Sequence, residues 1–207
     1  MDTKKKIYTI GHSNHSIDRF ITLLSKYSIN CLVDVRSNPY SKYHNQFNRK
    51  NLSASLEKSE IQYIFMGKEF GARRNEAELY SSEGHIDFEK TMKDELFLSG
   101  VERIKIGLSK GYIIAFMCAE KNPLDCHRSM LVTRYFFENG YHPVHILENG
   151  DSIDQAELLK ILLDEYYPKR NQLSLIPEEN INDENELYRK AYDLKNREIG
   201  YVMEGEN

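Results

Sequence analysis

Two cysteines, a glutamate and a histidine lie close together in one short polar stretch, and side chains of these types can perform chemistry. Cys118 directly follows an apolar run, and Glu120, Cys126 and His127 all come within the next nine residues. A cysteine beside a helix N-terminus and an arginine such as Arg128 has a lowered pKa, which favours the nucleophilic thiolate. The stretch predicts either a nucleophilic cysteine or, in the plainer interpretation, a small buried side chain at a strand end.

Carboxylates offer a second kind of chemistry. Glu120 and Asp34 each follow a predicted strand, where a carboxylate can act as general acid or base on a sugar or a water. The alternative is a salt bridge to a neighbouring arginine, because a buried charge without a partner is costly. The candidate catalytic residues are Glu120, Asp34, Cys118 and His127.

A metal site is a third interpretation of the same stretch. Cys118, Cys126 and His127, with His12 or His44, carry donor atoms that zinc accepts. The spacing of the two cysteines is not a common zinc pattern, however, and no C-x-x-C pair accompanies it. We therefore expect neither a metal nor a cofactor.

The elements around this stretch predict where it lies in the fold. Residues 112–117 are apolar throughout, which is typical of a strand buried on both faces of a parallel sheet. Pro123 prevents regular secondary structure from continuing through the loop, and Asp125 is placed to cap the helix that follows. Strand, loop and helix N-terminus together predict an anion site at the carboxyl end of a parallel strand.

The rest of the chain alternates between strand and helix patterns. Further strands are predicted at residues 6–10, 31–36, 61–66 and 144–147, and helices at 17–27, 51–60, 100–109 and 153–167. The alternation predicts an α/β domain over residues 1–167, with a three-layer Rossmann-like fold and a mostly parallel sheet. Residues 168–207 are polar and acidic, and form a predicted C-terminal tail with a helix at about 185–197.

Charge is distributed unevenly along the chain. Residues 1–75 hold thirteen Lys/Arg and six Asp/Glu, whereas residues 76–207 hold fifteen and twenty-six. A basic first part suits a phosphate-bearing partner, although scattered solvated charge is an equally good explanation.

The loop at residues 37–53 interleaves aromatic rings with basic side chains, a composition that suits stacking on bases and pairing with phosphates. The alternative is an ordered loop whose rings pack inward. Several arginines elsewhere exceed what a sheet edge needs, and a cluster of them would bind an oxyanion. The candidate ligand- and phosphate-binding residues are His12, Ser13, Arg36, Ser37, Tyr40, Tyr43, His44, Phe47, Asn48, Arg49, Lys68, Arg73, Cys126 and Arg128.

Composition also bears on the compartment. No run of eighteen apolar residues is present, so we expect no transmembrane helix and no membrane partner. The three cysteines are an odd number and do not predict a disulfide framework, which favours a reducing cytoplasm.

Four motifs in order resemble the signatures of the domain of unknown function 488 family. They are IYTIGHSNHS, LVDVRSNPYSKYHNQFN, YIFMGKEFGAR and MCAEKNPLDCHRSMLV. The resemblance implies an α/β domain whose motifs gather into one polar pocket, and it implies no mechanism. The pocket residues that it implies are His12, Ser13, Asp34, Arg36, Ser37, Phe47, Asn48, Gly67, Cys118, Glu120, Cys126, His127 and Arg128.

Two local resemblances accompany it. The strand that ends at Cys118 and the helix opened by Arg128 are similar to rhodanese-type sulfurtransferases, although the loop between them is longer here. In the tail, Gln172, Leu173, Leu175 and Ile176 resemble the bacterial sliding-clamp-binding pentapeptide, with isoleucine in place of phenylalanine. An extended segment with apolar anchors suits a groove on a partner, and the alternative is packing against the domain.

These features predict an enzyme that processes DNA or a nucleotide. We expect a hydrolase of an N-glycosidic bond, similar to a DNA glycosylase, in DNA repair or phage defence. Glycosidic cleavage is favoured over strand cleavage because strand cleavage commonly uses metal ions, for which the sequence shows no clear ligand set. The alternatives are a cysteine-dependent sulfurtransferase or phosphatase, and a non-catalytic module that binds a nucleotide or nucleic acid.

Overall fold

The computed structural model describes residues 5–168, 170 and 183–203. It has a mixed α/β architecture, with helices packed around one central sheet. The strands are β1 (Lys6–Gly11), β2 (Cys31–Asp34), β3 (Gln62–Phe65), β4 (Ile114–Cys118), β5 (His142–Ile146) and β6 (Ser152–Asp154). Their order across the sheet is β3-β2-β4-β1-β5-β6. All pair in parallel except β6, which runs antiparallel to β5.

Helices cover both faces of the sheet. They are α1 (Ile17–Lys26), α2 (Arg49–Glu57), α3 (Gly67–Phe70), α4 (Phe88–Thr91), α5 (Glu95–Ser109), α6 (Arg134–Glu138), α7 (Gln155–Tyr166) and α8 (Glu184–Ile199). Short 3-10 turns lie at Asn45–Phe47, Ala77–Leu79 and Pro123–Asp125, and a π-helix spans Arg128–Thr133. The N-terminus of α1 is capped by Ser16, whose hydroxyl accepts a hydrogen bond from the amide of Arg19.

The strand before Cys118 is buried on both faces, as the sequence predicts. All five residues of β4 are buried. Because side chains alternate along a strand, Ile114 and Phe116 enter one core with α5, α7 and α8. Ala115 and Met117 enter a second core with α1 and α2. The two cores make the three layers of the predicted fold.

Three neighbouring strands end at the same edge of the sheet. In the register, Gly11 of β1 lies beside Cys118 of β4, and Asp34 of β2 lies beside Met117. The loops after β1 and β4 stay together, since the amide of His12 donates to the carbonyl of Cys118 at 2.8 Å. A Cβ on Gly11 would lie 2.0 Å from the carbonyl oxygen of Glu120, so only glycine allows this approach.

Two helix N-termini differ from the sequence-based predictions. Helix α5 begins at Glu95 rather than at residue 100, because Asp94 caps it and Gly100 is a packing position against Phe70 rather than a helix start. The cap predicted at Asp125 is not formed, because Asn122 caps a 3-10 turn there. The helix predicted after it is present, but it begins as the π-helix at Arg128 and continues as α-helix from Arg134.

The predicted tail helix packs on the domain. Leu187, Ala191 and Tyr192 of α8 are buried in the same core as β4. The side-chain amide of Asn196 donates to the carbonyl of Ile86 at 2.8 Å and accepts from the amide of Phe88 at 2.9 Å. Residues 172–176, the predicted clamp-binding segment, lie outside the described residues. Among the helices described above, none has the length and apolar character needed to cross a membrane.

Candidate functional site

A polar pocket opens at the edge of the sheet where β2 and β4 end. Its volume is about 320 Å³, at the lower end of the range for small-molecule sites. The residues that line it are Arg36, Ser37, Asn38, Ala72, Arg73, Ala119, Glu120, Asp125, His127, Ile199 and Tyr201. The structure therefore brings five of the predicted site residues into one wall: Arg36, Ser37, Arg73, Glu120 and His127.

Glu120 joins the pocket to the two cysteines below it. Its side chain is exposed, and it contributes to the pocket wall. One carboxylate oxygen, Oε2, contacts the sulfur of Cys118 and lies 3.1 Å from the sulfur of Cys126. This carboxylate can therefore face a ligand or turn towards the sulfur atoms.

Cys118 and Cys126 are both buried. Their sulfur atoms meet in the arrangement of a disulfide, while their Cα atoms are 7.6 Å apart. The third cysteine, Cys31, lies apart from them in β2, and burial raises the pKa of its thiol to about 11. The sequence did not predict that the two sulfur atoms would meet, because eight residues separate them along an irregular loop.

His127 presents one ring nitrogen to the sulfur atoms. Its Nε2 lies 3.0 Å from the carbonyl oxygen of Val35, which can only accept, so Nε2 carries the proton. The Nδ1 atom, 3.9 Å from the sulfur of Cys126, then keeps its lone pair. Burial lowers the pKa of His127, which keeps the ring neutral at physiological pH.

Arg128 is fully buried behind the cysteines. Its Nη1 donates to the carbonyl of Glu120 at 2.7 Å and to the sulfur of Cys118 at 3.5 Å, and Nη2 donates to the carbonyl of Lys121. Within the described part of the chain, Nε has no hydrogen-bond partner and no carboxylate forms a salt bridge with this guanidinium. Burial lowers its pKa to about 10. Arg128 therefore shapes the loop, and the charge of Glu120 acts on its guanidinium without forming a salt bridge.

Asp34 and Arg36 form a closed network after β2. The carboxylate of Asp34 is fully buried and accepts from Nε and Nη2 of Arg36, at 2.9 and 2.6 Å. It also accepts from the hydroxyl of Tyr63 at 2.7 Å, and the pKa of that hydroxyl is raised by burial and by the carboxylate. Arg36 donates further to Phe47 and pairs with His12, which leaves one N–H on Nη1. Asp34 thus holds Arg36 in place.

The middle of the chain matches the family model of a domain of unknown function, DUF488, over residues 16–135. This match covers more than half of the chain and all of the residues from Cys118 to Arg128. The chain belongs to the DUF488 family. No curated protein and no solved structure matches it at a significant level.

In this DUF488 protein His12 supports the site from below rather than lining it. The residue is buried, its Nδ1 donates to the carbonyl of Ser13 at 2.8 Å, and its ring stacks on Phe47 with centroids 4.3 Å apart. Burial is the main cause that lowers the pKa of His12 to about 4. A neutral ring of this kind can accept the 3.2 Å hydrogen bond from Arg36. Ser13 lies beside it, half-buried.

In the loop at residues 37–53, some aromatic rings pack inward and others are exposed to solvent. Phe47 packs inward, whereas Tyr40 and Tyr43 are 61% and 91% exposed. Arg49 stacks over the ring of Phe65, with 4.8 Å from its Cζ to the ring centroid. Asn48 accepts from the amide of Ser41 at 2.6 Å and so fixes the loop. None of these residues lines the pocket, and neither do His44 or Lys68.

The DUF488 pocket also uses residues that the sequence did not suggest. Tyr201 and Ile199 reach it from the end of α8, a region assigned to the tail. The guanidinium of Arg73 lies over the ring of Tyr201, 4.9 Å from its centroid. The amide of Arg73 donates to the hydroxyl of Ser37 at 2.9 Å. The sequence shows Tyr201 only as an aromatic residue just after an amphipathic helix. No residue near it in the sequence indicates that it lines this pocket.

Proposed function

We propose that the protein is a hydrolase that acts on a nucleotide, or on one nucleotide unit of DNA, and cleaves its N-glycosidic bond. The observation that carries the proposal is the exposed carboxylate of Glu120 in the wall of a small polar pocket. Two guanidinium groups, from Arg36 and Arg73, and the ring of Tyr201 share this wall. In this proposal the carboxylate activates a water molecule, the guanidinium groups pair with the phosphate of the nucleotide, and the ring stacks on its base.

The size and charge of the pocket define the substrate class. A volume of about 320 Å³ suits one nucleotide and is too small for a base pair. A nucleotide within DNA would therefore have to be single-stranded or turned out of the duplex. Arg73 is exposed, and one N–H of Arg36 has no partner among the described residues, so both can pair with a phosphate oxygen.

Glu120 acts on the water. It removes a proton as the water oxygen attacks the anomeric carbon of the sugar. The bond between this carbon and the base nitrogen breaks, its electron pair goes to the base, and the proton is returned to that nitrogen. The products are a free base and a sugar with a new hydroxyl group.

Access favours the carboxylate over the cysteine as the reacting group. Cys118 is fully buried and its sulfur is in contact with Cys126, whereas a nucleophile in sulfur or phosphate transfer must reach its substrate. Asp34 is engaged on both oxygens by Arg36 and Tyr63. In this proposal Asp34 positions the arginine and Glu120 alone acts as the acid–base group.

The test is to incubate the protein with nucleotides and with DNAs, plain and base-modified, and to detect released bases by mass spectrometry. We expect base release by the parent protein and at least a hundredfold slower release by Glu120→Gln, since general acid–base groups contribute about 10²–10⁴-fold. The matched control is Glu57→Gln, an exposed glutamate at the end of α2, which should keep the parent rate. Binding of a nucleotide without turnover would replace the hydrolase by a binding module, and release unaffected by Glu120→Gln would remove the assigned role.

The proposal also includes a partner protein and a cellular compartment. The sequence of residues 172–176 supports an interaction with a sliding clamp, because its apolar side chains could anchor it in a groove on that partner. Leu175→Ala should abolish co-elution with a bacterial clamp, and failure of the parent protein to co-elute would end this part. We place the protein in the cytoplasm, where three cysteines remain reduced.

A further inference from the structure

We propose that Cys118, Cys126 and His127 hold a divalent zinc-type cation, with Glu120 as an exchangeable fourth ligand. The proposal goes beyond the proposed hydrolase, because it concerns what binds beneath the pocket and needs no substrate. The four donor atoms all lie within 4.8 Å of one another. Cys118 is the last residue of β4, and the other three lie in the loop between β4 and the π-helix.

The chemistry of the donors selects the ion. Thiolate and imidazole ligands favour zinc, whereas magnesium and calcium prefer oxygen ligands. Two cysteines, a histidine and one labile position make a known type of catalytic zinc site. Glu120 is the labile member, since its side chain is exposed whereas both cysteines are buried.

The ring of His127 is already oriented as a ligand. Metal-bound histidines usually donate their other ring N–H to a carbonyl or a carboxylate, which fixes the tautomer. Here Nε2 donates to the carbonyl of Val35 at 3.0 Å. The unprotonated Nδ1 is left facing the sulfur of Cys126, so the histidine needs no rearrangement of its tautomer.

Charge provides a second, independent argument. Arg128 is fully buried, and no carboxylate among the described residues forms a salt bridge with it. Its Nη1 points at the sulfur of Cys118, and its backbone amide points at the sulfur of Cys126, 3.4 Å away. Thiolates would supply the charge that this buried cation needs. Two thiolates and one carboxylate together balance a divalent ion and one arginine.

A structural disulfide explains less of the same geometry. The Cα atoms of Cys118 and Cys126 are 7.6 Å apart, beyond the usual disulfide range of roughly 4.4–6.8 Å. A disulfide also gives no role to the lone pair of His127 or to the oxygen of Glu120 beside the sulfur atoms. An ion bound by both sulfur atoms, which would have to move apart from their present contact, uses all four groups.

The test measures metal and thiols on the same preparation of the full chain, purified without chelator. We expect one zinc per chain by mass spectrometry of the metal, and three titratable thiols after denaturation without reductant. A disulfide would leave one thiol, because the chain has three cysteines. One thiol with no metal overturns the proposal, and so do three thiols in a protein that binds neither added zinc nor cobalt.

Variants separate the ligands from the rest of the fold. Cys126→Ser and His127→Ala should each lose the ion, or bind cobalt without the sulfur-to-metal absorption band of the parent. Cys31→Ala is the matched control and should keep one zinc, because Cys31 lies in β2 away from the cluster. Glu120→Gln should also keep the ion, which the two cysteines and the histidine still hold.

The result is distinguishable from a failure of the proposed function. Zinc without base release would support this proposal and remove the hydrolase. Base release by a protein that is free of metal, with one thiol per denatured chain, would support the hydrolase and remove this proposal. Loss of zinc in Cys31→Ala as well as in Cys126→Ser, with the parent fold retained by circular dichroism, would also count against the assigned ligands.

Discussion

The loops after β2 and β4 both contain a buried arginine and an acid, yet the two are built differently. After β2, Asp34 and Arg36 neutralise each other, and Tyr63, His12 and Phe47 take up nearly all of the remaining hydrogen-bonding capacity. After β4, Arg128 has no carboxylate partner among the residues described, and its Nε is unsatisfied. The acid of that loop, Glu120, turns to the sulfur atoms and the pocket instead.

The difference is one of charge balance. A network whose charges cancel internally needs no ligand and can serve as a rigid wall. Under the proposals above, the first loop positions the site. The second loop, which buries a cation beside two sulfur atoms and a histidine lone pair, holds the reactive groups.

The largest expected effect comes from opening the closed network. Asp34→Asn would leave Arg36 buried without a counter-charge, and we expect a loss of about 3–5 kcal/mol in the free energy of unfolding. Urea denaturation measures it. Tyr63→Phe, which removes one hydrogen bond and keeps the ion pair, should cost only about 1 kcal/mol. Equal effects of the two variants would contradict the central role of the pair.

An intermediate effect is expected in the open loop. Arg128→Met keeps the volume and removes the charge beside the cysteines, so zinc affinity should fall about 10–100-fold, as for other groups behind metal ligands. Competition with a chelator of known affinity measures this. Arg19→Met removes an exposed arginine that donates to the carbonyl of Asn149, and it should leave zinc affinity unchanged. Unchanged affinity in Arg128→Met would show that the sulfur atoms do not balance its charge.

The smallest effect is expected at the pocket rim, where Arg73 stacks on Tyr201. Arg73→Ala removes an exposed cation–π contact, so stability should fall by at most about 1 kcal/mol. The variant also loses the proposed contact with the phosphate, and a loss of about 1 kcal/mol in binding raises KM about fivefold. Steady-state kinetics on the released base separates KM from kcat. A fall in kcat at constant KM would mean that Arg73 acts on the transition state rather than on binding.

Local pattern was enough to predict the frame of the site. The five predicted strands are present as β1 to β5. The apolar run that predicts β4 is buried from Ile114 onwards, as is typical of a strand in the middle of a parallel sheet, whereas Tyr112 and Ile113 at its start are exposed. The polar residues that end β1, β2 and β4 were predicted at one edge, and the register confirms that they lie together. Strand β6 was not predicted, since three residues with one apolar side chain carry too little pattern.

The state of each side chain was decided by tertiary contacts. Nothing in the sequence near Asp34 indicates that Tyr63 and Phe47 complete its network, because those partners come from other elements. The cysteine spacing argued against a metal, whereas the path of the loop from Cys118 to His127 places four donor atoms within 4.8 Å of one another. Tyr201 reaches the pocket only because α8 packs back on the core. Strands and helices, and the residues that end them, could be predicted because they depend on neighbours along the chain. Whether a polar group at a strand end has a hydrogen-bond partner depends on residues distant in sequence, so it follows from the three-dimensional packing.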